Sequence, residues 1–296
     1  MTRRYLRPLK RPMTVAVVGC GGTGSHILSG LTHLHHAVQA LGGQGLTVVA
    51  YDPDTVEAHN VVRQRFYPGD VGRHKCEVLI SRINRAHGLH WRAVPRTFAE
   101  GPGIPNFDLV IGCVDSRRGR AEIRHMITSG PCARTRFWLD IGNARFPDGR
   151  FGGQVVLGEP SNLRNWRSRR TGRLPIASEL YPELVSTRLA EDEQPSCSAL
   201  ESLKRQDLFL NALLAQHALN ILWRVILDRK LDVTGVFLDA SSHIVNPVYA
   251  ELPQQREAAD QHRSPGFLED PGVRCCCPAP ILSPPCERSA SGKGDR

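Results

Sequence analysis

Gly19, Gly21, Gly22 and Gly24 fall in one short run, Gly-Cys-Gly-Gly-Thr-Gly, that contains the spacing Gly-x-Gly-x-x-Gly. Glycines so spaced let a backbone come close to a phosphate, and a helix opening just after them offers its free N–H groups to the same anion. The pattern also serves plain strand–helix packing, and it does not separate ATP from NAD or FAD. Asp52, at the end of the next apolar run, has the chemistry to accept hydrogen bonds from ribose hydroxyls. The residues after it separate the cofactors. Asp52 and Asp54 are followed by Asn60, Arg63 and Gln64, then by Lys75. A dehydrogenase has no use for this set, whereas a triphosphate does. Arg63 and Lys75 neutralise phosphate charge, and Asn60 and Gln64 donate hydrogen bonds. The competing reading leaves Arg63 and Lys75 as solvated loop charges. Asp115 follows the run Asp-Leu-Val-Ile-Gly-Cys and suits a Mg²⁺ held against phosphates. It also suits the N-cap of a helix running from Arg117.

These residues need a scaffold of alternating elements. The β-branched run at 14–18 reads as a buried strand and 23–40 as the helix after the glycines. Strands are expected at 46–51, 91–94, 108–113 and 137–141, and helices at 75–86 and 122–129, with a loop over 63–70. That alternation implies βαβ units. A turn at Pro147-Asp148-Gly149 then leads into a strand at 153–157, and a final pair is expected at 233–238 and 243–248. The fold class is therefore α/β, a Rossmann-like doubly wound mixed sheet with a parallel core and antiparallel strands added in the C-terminal half. Residues 161–195 read as a long crossing loop and 198–227 as an apolar helix.

The succession GCGGTGS, DPDTVEAHNVVRQ, VGRHK and DLVIGCVDS resembles the ThiF/MoeB/E1-like family of activating enzymes, over roughly residues 14–250 and most specifically over 19–75. Within it the chain is most similar to the ThiF-related member of the bacterial PRTRC cassette. The resemblance implies adenylation: ATP and the C-terminal carboxylate of a small ubiquitin-like or sulfur-carrier protein give an acyl-adenylate and pyrophosphate. By position it gives Asp52 the ribose, Arg63 and Lys75 the phosphates, and Asp115 the Mg²⁺. It also implies a homodimer in which an arginine reaches the neighbour's ATP site, with Arg3, Arg4, Arg7 and Arg11 as candidates. The paired Cys-x-x-Cys motifs that bind structural zinc in many members are missing from the expected folded part, so structural zinc is not expected. Cys197, between a crossing loop and a helix, is a candidate nucleophile for a thioester, since a helix start favours the thiolate. The bland alternative is a small residue packed at a helix start. Cys20 and Cys113 read as core residues.

The formal charge of +9 suits an acidic partner or nucleotide. The Arg-rich stretch 164–173 can meet an acidic protein surface or stand solvated. No apolar run looks long enough for a bilayer, and no secretory leader is evident, so a cytoplasmic protein without membrane contact is expected. The expected organisation is a basic arm over 1–12, an adenylation domain over 13–252 with its crossing loop at 160–196, and a Pro/Ser/Arg/Cys tail over 253–296 without packed structure. Other readings keep the fold with a small-molecule or tRNA-bound carboxylate, the one route to nucleic acid, or make the chain a non-catalytic nucleotide scaffold or a nicotinamide oxidoreductase.

Overall fold

The β-branched and apolar runs form one eight-stranded sheet. A computed structural model of the chain describes residues 10–100, 106–145, 148–160, 173–186, 207–227 and 231–250. In chain order the strands are β1 (Met13–Val18), β2 (Leu46–Tyr51), β3 (Arg92–Val94), β4 (Leu109–Gly112), β5 (Phe137–Arg145), β6 (Phe151–Gly158), β7 (Val233–Asp239) and β8 (Ile244–Tyr249). The helices are α1 (Gly22–Ala40), α2 (Lys75–His87), α3 (Arg117–Thr128), the short α4 (Ala177–Leu180) and α5 (Leu210–Leu227). The strand order is β3-β2-β1-β4-β5-β6-β7-β8. Pairing is parallel from β3 to β5 and antiparallel from β5 to β8, which is the mixed sheet expected.

Both faces of the sheet are covered, and β1 shows how. Val15 and Val17 join a core cluster with Ile27, Leu28 and Leu31 of α1 and Leu214 of α5. Ala16 and Val18 join a second cluster with Ile123 and Ile127 of α3 and with Trp138. Alternate residues of a strand point to opposite faces, so a strand buried on both sides reads as a continuous apolar run.

Several boundaries differ from the sequence expectation. Helix α3 begins at Arg117 rather than 122, because Ser116 accepts the Gly119 N–H at 3.0 Å and supplies the cap. β5 runs on to Arg145, where its pairing with Phe151 closes the hairpin. The loop over 63–70 contains the 3₁₀ turn Pro68–Asp70, and another, Ala58–Val62, precedes it. The crossing region holds α4 and a 3₁₀ turn at Pro182–Val185. The membrane reading needs one correction: Leu210–Leu227 has the length and composition of a membrane-crossing helix. Leu210, Leu214, Ala218, Leu222 and Val225 are nonetheless buried in the core, the habit of an interior helix. The expected tail, Arg3, Arg4, Arg7, residues 164–172 and Cys197 lie outside the described residues.

Candidate functional site

β2 and β3 lie to one side of β1, and β4 lies to the other. The chain thus leaves the middle of the sheet in both directions, and open α/β sheets bind ligands at the carboxyl ends of strands beside such a switch. A cleft of about 490 Å³ opens there. Gly19, Gly21 and Gly22 line it together with Asp52, Asp54, Arg63, Gln64, Lys75 and Asp115. Residues separated by nearly a hundred positions of sequence thus meet around one space.

The glycine loop owes its shape to close approach. Gly19 has φ +92°, and a Cβ there would fall 2.7 Å from the Cys113 carbonyl oxygen. Gly24 does not line the cleft. A Cβ on it would overlap the Gly19 carbonyl oxygen, so its part is to seat α1 against the loop.

Asp52 ties the loop to β2. One carboxylate oxygen accepts the Cys20 N–H at 2.5 Å and the other the Asp54 N–H at 2.8 Å. Burial raises its pKa, against the pull of Lys75 and the Cys20 N–H. Lys75 opens α2 and donates from Nζ to Asp54 at 2.8 Å, with its side chain only 11% exposed. Arg63 stands half-buried. Desolvation lowers its pKa, and the facing charge of Asp115 works the other way.

Arg63 and Gln64 sit on a segment closed at its base. Thr55 bridges His74, the Val56 N–H donates to the Arg73 carbonyl and the Gly72 N–H to the Val56 carbonyl, each at 2.8 Å, and the Lys75 N–H meets the Asp54 carbonyl at 3.0 Å. Val56 and Phe66 anchor it in the core. Arg82 of α2 clasps it from outside, donating to the Arg65 carbonyl and to Asp70 and lying 4.4 Å over the Tyr67 ring.

Asn60 departs from the phosphate-donor expectation. It is 3% exposed, its amide oxygen accepts the Glu57 N–H, and it caps its own 3₁₀ turn away from the cleft. Gln64 does line the cleft, and its Oε1 is buried without a hydrogen-bond partner. Asp115 is exposed on the wall, while Ser116 performs the capping that competed for Asp115. A single exposed carboxylate at that point fits a Mg²⁺, which takes one or two carboxylates and completes its shell with phosphate and water oxygens.

Arg11 is likewise spent elsewhere. It makes a two-pronged contact with Asp108 at 2.8 and 2.9 Å, at the start of β4 and so at the far end of the strands from the cleft. Cys20 is buried as its core reading expects, whereas Cys113 is only partly buried and lines the cleft. Burial pushes Cys20 and Cys113 up, Cys76 to about 12 and Cys132 to about 11.

The sequence reading missed several cleft residues. Arg96 and Phe98 follow β3, and Arg118 lies in the first turn of α3. Their signal is positional, since each follows a strand end. Asn143 of β5 and Asn211 of α5 complete the other wall, and no local pattern marks them.

Comparison with known proteins agrees with this architecture. No curated protein sequence matches the chain. Among solved structures, E. coli MccB matches with a TM-score of 0.52 at 14% identity, over 82% of this chain and 63% of that one. Selenomethionine PaaA matches with a TM-score of 0.53 at 14% identity, over 81% of this chain and 65% of that one. The chain therefore spans somewhat less than two thirds of either structure, and the likeness is one of fold. A sequence profile matches residues 7–231, most of the chain, and by that match the chain belongs to the ThiF family.

Proposed function

We propose that this protein is an E1-like adenylating enzyme that activates the C-terminal carboxylate of a small ubiquitin-like or sulfur-carrier protein with Mg-ATP. The observation that carries the reading is the meeting of the glycine loop, Asp52, Arg63, Lys75 and Asp115 around one cleft at the switch of the sheet. In the reaction a carboxylate oxygen bonds to the α-phosphorus, and the bond from that phosphorus to the β-bridging oxygen breaks. Pyrophosphate leaves with the electron pair. The attacking group is already ionised at neutral pH, so no general base is required. The protein's task is to hold the two reactants in line and to absorb charge on the leaving group. In this reading Asp52 takes the ribose, the loop N–H groups the phosphates, and Arg63 and Lys75 the pyrophosphate charge. Asp115 would hold the Mg²⁺, which neutralises phosphate charge when bound.

A homodimer belongs to this reading. With Arg11 engaged by Asp108, the cross-subunit arginine is sought at Arg3, Arg4 or Arg7. A thioester step on Cys197 is a further part. In its support, the four described cysteines are poor nucleophiles, because burial raises each thiol above its ordinary range.

ATP–pyrophosphate exchange tests the proposal, run with and without candidate carrier proteins. Exchange that depends on a carrier with a free C-terminal carboxylate is the expected result. Absence of exchange under every condition, joined to binding of NAD(H), would sink it. For the thioester, a thiol-labile adduct with the carrier should vanish in Cys197→Ala, and an adduct that persists removes Cys197 from the mechanism.

A further inference from the structure

Asn211 is 1% exposed, stands in the first turn of α5 and forms part of the cleft wall. Its side-chain oxygen accepts twice, from Thr23 Oγ1 at 3.0 Å and from Asn143 Nδ2 at 2.9 Å. In this arrangement the amide has its oxygen toward Thr23 and Asn143 and its nitrogen on the side of Gly22. Gly22 leaves the room that the amide occupies, because a Cβ there would collide with it. The amide nitrogen so held is buried and has no hydrogen-bond partner. Buried donors are nearly always satisfied, and leaving one unmade is costly. An oriented, unpartnered donor on a cleft wall therefore points to an acceptor supplied by a ligand.

The surroundings select the kind of acceptor. The wall made by β5 and α5 presents Ile141, Asn143 and Asn211, all uncharged. The cations come from elsewhere: Arg63 and Lys75 from between β2 and β3, Arg96 from after β3, and Arg118 from the first turn of α3. A phosphate calls for cations or several N–H groups, whereas a single neutral amide suits a carbonyl oxygen. Succession along the sheet agrees. From β2 through β1 and β4 to β5 come Asp52, the glycine loop, Asp115 and then Asn143 with Asn211. Ribose, phosphate and acyl group follow one another in the same way in an acyl-adenylate.

We propose that Asn211, oriented by Thr23 and Asn143, donates a hydrogen bond to the acyl carbonyl oxygen of the carboxylate substrate, so that the β5–α5 wall is the acyl subsite. This rests on the adenylation reading above. Asn143 and Thr23 act through Asn211 and are positioning residues.

Two nucleotide analogues test it by isothermal titration on the full chain: adenosine 5′-sulfamate, and the same molecule carrying an N-glycyl group that supplies the acyl carbonyl. Asn211→Ala should lose about tenfold in affinity for the glycyl compound, the range of one hydrogen bond, while its affinity for the sulfamate holds within about twofold. Asn143→Ala, less buried and less exposed to any folding defect, should lose about threefold on the glycyl compound alone. An equal loss for both compounds places the donor on the phosphate and overturns the assignment. No loss for either in a variant with native circular dichroism also overturns it. A folded wild-type protein that binds neither compound defeats the nucleotide reading itself, and this inference with it.

Discussion

Asp115 and Ser116 divide two tasks that the sequence left merged. Ser116 caps α3, and Asp115 is left exposed on the cleft wall. Asp115→Ala should therefore leave the thermal melt within about 0.5 kcal/mol of wild type. ATP–pyrophosphate exchange should fall by about a hundredfold or more in the same variant, as on removal of other groups that stabilise transition-state charge. Ser116→Ala should do the reverse, costing about 1 kcal/mol of stability with exchange largely kept. The glycines divide in the same manner. A Cβ at Gly21 would meet only the Gln64 amide at 3.9 Å, whereas one at Gly24 would overlap the Gly19 carbonyl. Gly24→Ala should fail to give a native melting transition, and Gly21→Ala should fold and bind ATP more weakly. Equal behaviour of the two would show that the loop is not packed as described. Asp52 and Asp115 were legible because each stands just past an apolar run whose end marks the rim of a parallel sheet, and Arg63 and Lys75 because their charges follow Asp52 in a set that suits a triphosphate. Asn211 was not, because its meaning lies in a contact with Thr23, 188 positions away. Asn60 misled because a polar residue beside Arg63 has the right chemistry for a phosphate, yet its amide oxygen caps its own turn and the side chain is buried outside the cleft lining.

The strands show why periodicity finds a core better than it finds ends. β2 ends where its apolar run ends. α3 starts five residues before the apolar pattern does, since Arg117, Arg118 and Gly119 carry no hydrophobic signal and the Ser116 cap sets the boundary. At the opposite rim from the cleft, Asp108 joins the starts of β1 and β4, accepting the Thr14 N–H and hydroxyl besides Arg11. Burial works to raise its pKa, but those hydrogen bonds outweigh it and hold the carboxyl below its usual 3.8. A carboxyl whose pKa is lower folded than unfolded adds stability above the unfolded value, and that stability is lost as pH falls through the folded one. Urea titrations should therefore show wild type losing stability below about pH 4, relative to Asp108→Asn, which is weaker at neutral pH and flatter in acid. Parallel acid curves for the two proteins would remove Asp108 from the acid response.

Two apolar layers, one on each face of the sheet, form the core of the described residues. On the α3 side lies a charged pair as well. Arg120 of α3 donates to Asp140 of β5 at 3.2 Å, with the side chains 6% and 1% exposed, and Gln154 of β6 adds a 3.4 Å contact. Burial raises the Asp140 pKa, and Arg120 opposes that. Breaking such a pair strands a charge, whereas replacing both partners does not. Arg120→Met should cost about 3–5 kcal/mol in chemical denaturation, and Arg120→Met with Asp140→Asn should recover most of it. A double variant as weak as the single one would show that packing, not charge, sets the cost. Gly142 belongs to the same arrangement, since a Cβ there would collide with both the Arg120 and Gln154 side chains.

The segment between Asp54 and Lys75 has its two feet joined by a backbone hydrogen bond and clasped by Arg82. Its ends stay together whatever its middle does, so added length costs only closure entropy, about 0.6 kcal/mol for each doubling. It carries Arg63 and Gln64 into the cleft without contributing a strand to the sheet. Such a piece behaves as an exchangeable module: a relative's version, cut at the same two feet, can be transplanted to change what the cleft grips while the sheet beneath it is left as it was.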